Sequence, residues 1–126
     1  MLKLSEFGEM VEATEPIQGY LMLGYRQGRR HFHMYDDGKE DMLFGDDESF
    51  TGEVYSNAHP FYVFARLEDA REDAAALKKC CYNEDACLEM RFARCVIEKG
   101  TACQSGSFIG YEAYTTDRVT IEEVIR

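Results

Sequence analysis

The chain has 126 residues, of which 45% are hydrophobic and 13% aromatic, and it carries a net charge of −10. This is too apolar for a disordered acidic tail and long enough for one domain whose core needs neither disulfide nor metal. The charge repels nucleic acid and anionic membrane, and no apolar run reaches the ~20 residues that a membrane-spanning helix requires.

In chain order, residues 5–13 read as a short helix, with Ser5 as N-cap and Phe7, Met10 and Val11 on one face. Pro16 ends it, because the residue before a proline avoids helical geometry. Residues 17–26 and 30–35 read as two strands joined by a turn at Arg26-Gln27-Gly28-Arg29. Asp36-Asp37-Gly38-Lys39 is a further turn, residues 41–44 a short strand, Gly45–Ser49 a loop and residues 50–55 extended. The aromatic and β-branched run at 60–65 predicts an inner strand. Residues 67–80 predict the clearest helix, with Leu67, Ala70, Ala74, Leu77 and Cys81 on one stripe, acids at its start and Lys78 and Lys79 at its end.

Between 83 and 99 two signals compete. Asn83, the following acids and Gly100 suit a helix, whereas Leu88, Met90 and Phe92 alternate with Glu89 and Arg91 as in a strand; a strand over 87–98 is the reading adopted. Residues 107–115 and 118–125 complete the sheet, with Asp117 in a tight turn between them. The expected fold is a single α+β domain over 1–126: an antiparallel sheet of five to seven strands with one long and one short helix.

The opening Met1–Glu6 lacks the basic flank and apolar stretch of a signal peptide, which points to the cytoplasm. There the five cysteines (Cys80, Cys81, Cys87, Cys95 and Cys103) are expected to be thiols, and no two have C-x₂-C spacing. His31 and His33 form an H-x-H pair whose side chains share one side of a strand. The pair is similar to the histidine strand motif of the cupins, with Asp37 and Gly45 near that family's glutamate and glycine. The second cupin histidine motif is missing, since Asn57-Ala58-His59-Pro60 does not match it. Two histidines on a hairpin arm beside Arg29 and Arg30 is the simpler reading.

Charge is distributed unevenly. From Asp36 to Glu53 there are eight carboxylates against Lys39 alone, a local charge of −7 in eighteen residues. The order of these acids is not that of a calcium loop. Tyr35, Phe44, Phe50 and Tyr55 are interleaved with them, so acids supply steering and aromatics supply contact area. The expected binding residues are Asp36, Asp37, Glu40, Asp41, Phe44, Asp46, Asp47, Glu48 and Tyr55, and the expected partner is the basic surface of another protein. Direct binding of nucleic acid or membrane is not expected, nor is a cofactor or a catalytic residue.

In size, acidity, free cysteines and lack of a catalytic motif, the chain resembles small accessory proteins of phages and mobile elements, of the anti-CRISPR and anti-restriction inhibitor type. That resemblance implies a stoichiometric inhibitor that blocks a nucleic-acid-binding enzyme. A second resemblance rests on Pro60-Phe61-Tyr62-Val63-Phe64-Ala65 followed by Leu67-Glu68-Asp69-Ala70. This looks like the strand-then-helix step of small ADP-ribosyltransferases. It implies, as the alternative function, an enzyme using NAD, with Tyr62 on the nicotinamide, Glu112 at the oxocarbenium-like centre and His31 or His33 on the ribose.

Overall fold

The computed structural model describes residues 5–26, 31–34, 40–44, 51–56, 59–81 and 88–125, with positions 26, 40–44 and 81 described by their backbone. Its elements are β1 (Glu6–Phe7), β2 (Val11–Glu12), β3 (Ile17–Arg26), β4 (His31–Met34), β5 (Glu40–Phe44), β6 (Gly52–Tyr55), β7 (Phe61–Phe64), α1 (Leu67–Cys81), β8 (Leu88–Ile97), β9 (Ala102–Phe108), β10 (Tyr111–Thr116) and β11 (Arg118–Ile125). The strands form one antiparallel sheet in the order β1-β9-β10-β7-β3-β8-β11-β6; β2 also lies on β9, and β4 and β5 lie off this path. None of the described helices is long and apolar enough to cross a membrane.

The expected α+β fold of five to seven strands with two helices is therefore corrected. The described residues form eleven strands and one helix. Residues 5–13 are not a helix; they are the two short strands β1 and β2, held on the edge of β9 with Glu6 opposite Ser107 and Val11 opposite Cys103. Gly106 explains why this edge accepts them, because a Cβ there would collide with the Glu6 carbonyl and the Phe7 backbone. Tertiary pairing thus overrides a weak local helix preference already lowered by Gly8. The expected strand at 107–115 is instead two strands, β9 and β10, joined by Ile109-Gly110. Both turn residues have positive φ (49° and 87°), as a two-residue primed hairpin turn requires.

Strand β3 organises the molecule. On one side it pairs with β8 along its whole length, from Ile17 opposite Ile97 to Arg26 opposite Leu88. Its other side is shared: β7 meets it at Tyr20, and β4 meets it from Leu23 to Tyr25. The sheet forks there, and β5 extends the fork by pairing with β4.

The two faces are buried differently. Ala70, Ala74 and Leu77 of α1 pack with Met22, Phe64, Phe92, Phe108 and Ala113 on one face. Lys78 ties the end of the helix to β8 by donating to the Leu88 carbonyl at 2.9 Å. On the other face Val54 and Val119, from β6 and β11 at one end of the strand order, share a cluster with Phe61 and Val63 of the central β7 and with Cys103 of β9, near the other end. The sheet must curl for these strands to meet. Arg118 fastens the curl by donating to Thr101 Oγ1 at 2.9 Å.

Candidate functional site

The acidic segment runs from the end of β4 through β5 to β6. Asp36, Asp37, Asp46, Asp47 and Glu48 lie outside the described residues. Glu40, Asp41 and Phe44 belong to β5, where Glu40 is opposite Met34, Asp41 opposite His33 and Phe44 opposite His31. Tyr55 is described in full. It stands on β6, the last strand of the sheet order, and is 58% exposed. Its hydroxyl donates to Glu53 Oε1 on the same strand, so an aromatic ring and a carboxylate are presented together.

The two histidines of the H-x-H pair do share one face of β4, as i and i+2 residues must. Both are buried, on the curled inner face rather than on an exposed arm. They do not converge. His33 meets Phe61 edge-on, with ring centroids 5.3 Å apart. The His31 ring lies 4.6 Å from the Tyr25 ring, and His31 Nε2 is 3.3 Å from Arg91 Nη1. A guanidinium can only donate, so Nε2 accepts and the ring carries its hydrogen on Nδ1. A cation thus occupies the position from which a metal would draw on this histidine. Among the described residues, no three of His, Cys, Asp and Glu form a group that could hold a metal ion.

Arg91 is a residue to which the sequence analysis gave no role beyond strand periodicity. It alternates with apolar neighbours as Glu89 does, yet it is 2% exposed and is the largest fully buried side chain described. Its guanidinium lies 3.8 Å from the Tyr25 ring centroid, and Nη2 donates to Glu89 Oε2 at 3.0 Å. Glu89 is half exposed, so the pair spans from the interior to water. The available signal was the continuation of the same face: after Arg91 come Ala93, Cys95 and Ile97, all buried.

Of the residues of the transferase-like reading, His33 and Tyr62 are brought together, their rings stacked with centroids 6.3 Å apart, but Glu112 does not join them. Tyr62 is opposite Thr115 and therefore shares its face; Glu112, three positions earlier on β10, points to the other. Tyr62 is stacked on Phe108 at 4.2 Å, and Glu112 is exposed. Of the cysteines whose side chains are described, Cys95 and Cys103 are buried, while Cys80 is exposed on α1. Burial, followed by the negative charge of Glu122, pushes the Cys95 thiol strongly upward, and burial raises Cys103 as well. Neither is a ready nucleophile.

A second acidic strip escaped the sequence reading. Glu6, Glu9, Glu12 and Glu15 are all exposed along the β1–β2 edge. Met10 and Val11, also exposed, lie among them. No family model, curated protein or solved structure matches this chain.

Proposed function

We propose that this protein binds the basic surface of another macromolecule, as a stoichiometric inhibitor or modulator of a nucleic-acid-binding protein in the cytoplasm. The observation that carries the reading is the concentration of charge: eight carboxylates and one lysine between Asp36 and Glu53, ending on an edge strand where Tyr55 and Glu53 are exposed side by side. Acids spaced along extended segments repeat negative charge as a phosphate backbone does, and they steer a Lys- and Arg-rich surface into contact. Exposed ion pairs contribute only about 0.2–1 kcal/mol each, so affinity also needs an aromatic anchor such as Tyr55.

The test is capture of a nucleic-acid-binding partner from the native cell, followed by competition with that partner's own nucleic acid. The triple variant Asp46→Lys, Asp47→Lys, Glu48→Lys is expected to lose capture with little change in melting temperature. Capture that survives the reversal, or that nucleic acid does not compete away, rejects the reading.

A further inference from the structure

We propose that Arg91 is a positioning residue for the acidic hairpin: it seats β4 on the body of the sheet and thereby sets where β5 stands. The inference deepens the proposed function for its binding consequence, whereas its conformational part stands on the geometry alone.

Strand β4 is short, four residues from His31 to Met34. Among the described residues it meets β3 from Leu23 to Tyr25, and β5 reaches the body through β4. Side chains must therefore do what a long ladder does elsewhere. On the helix side Phe32 lies over Gly24, where any Cβ would collide with its ring, and Met34 packs beside it. On the inner side the hold is polar. Arg91, from β8, reaches past β3 to His31: one guanidinium nitrogen bonds the imidazole and its flat face covers Tyr25 of β3. Glu89 neutralises it at 3.0 Å. One side chain thus joins three consecutive strands, β8, β3 and β4.

Arginine suits this role because its planar fork can donate to His31 and Glu89 while stacking on Tyr25. Lysine keeps the charge but offers no plane. Removal of the guanidinium strands no buried charge, since Glu89 already keeps half its surface in water. The body of the sheet should therefore survive the change, and the effect should fall on the hairpin.

Hydrogen exchange followed by mass spectrometry on Arg91→Met and Arg91→Lys tests this. In Arg91→Met the amides of 31–34 and 40–44 are expected to exchange about tenfold faster, with those of 102–116 and 118–125 nearly unchanged, as for opening of a local unit. Arg91→Lys should fall between wild type and Arg91→Met, and it decides the matter if the methionine variant does not fold. Unchanged exchange in the hairpin, or acceleration spread evenly over all strands, overturns the proposal. Capture by the same variants separates the two readings. A loosened hairpin with weakened capture supports both, whereas a loosened hairpin with undiminished capture upholds the positioning role and rejects the hairpin as the binding surface.

Discussion

The β3–β8 ladder and the β3–β4–β5 fork hang from the same strand but are held by different means. Along the ladder, backbone pairing is continuous, and its inner face is apolar over Leu21, Leu23, Ala93, Cys95 and Ile97. Where the fork leaves the ladder, the described β3–β4 pairing spans Leu23 to Tyr25, and the inner face carries His31 and His33 of β4 together with Tyr25 and Arg91 from the ladder's own end. Hydrophobic burial is non-directional and tolerates many arrangements, whereas stacked rings and hydrogen bonds specify one. The ladder thus provides stability and the fork provides placement, and the acidic segment is attached to the region held by placement.

Substitutions can break this contrast in order of size. Leu21→Ala, at a fully buried position of the ladder, should cost about 2–5 kcal/mol and lower the stability of the whole domain. Chemical denaturation should show one cooperative transition shifted to lower denaturant; a loss confined to the fork would contradict the contrast. Gly24→Ala should cost less, about 1–3 kcal/mol, because the new methyl displaces Phe32 from its seat over β3. Its signature is local: faster exchange at 31–34 before any global change. Equal acceleration in β8 and β11 would show that fork and ladder open as one unit.

The smallest effect sharpens the comparison from the helix side, which belongs to neither arm. The Tyr111 phenol is pushed from 10 to about 12, first by burial and then by its hydrogen bond to Glu72 and the charges of Glu72, Asp73 and Asp69. The folded state therefore keeps a proton that the unfolded chain has lost. The resulting stability is fully present below pH 10 and is lost as pH rises toward about 12. Tyr111→Phe should flatten that alkaline slope in denaturation midpoints measured across this window. An unaltered slope would place the alkaline sensitivity elsewhere.

Much of the framework was legible from pattern. The strands at 17–26 and 118–125 and the helix beginning at Leu67 follow from runs whose periodicity and end signals agree, and the ambiguous stretch before Gly100 is a strand over 88–97. Two short segments were not legible. Cys103-Gln104-Ser105-Gly106-Ser107 has the composition of a loop, yet it is an inner strand because β10 and the β1–β2 segment satisfy its two edges. Ser5–Ala13 has helix-like spacing, yet it pairs with that strand because Gly106 leaves room for a close backbone approach. Neither outcome depends on the local sequence alone.

The same division holds for the functional residues. Charge is a property of composition, so the acidic segment from Asp36 to Glu53 and its imbalance of −7 were determined by the chain itself. Alternation likewise determined that His31 and His33 share a side of their strand. Whether that side faces water or the interior is not written in any one strand, because a two-residue period marks two faces without saying which is covered. Curling of the sheet decided it, by bringing the inner faces of distant strands together and enclosing Arg91, His31 and Tyr25 with them.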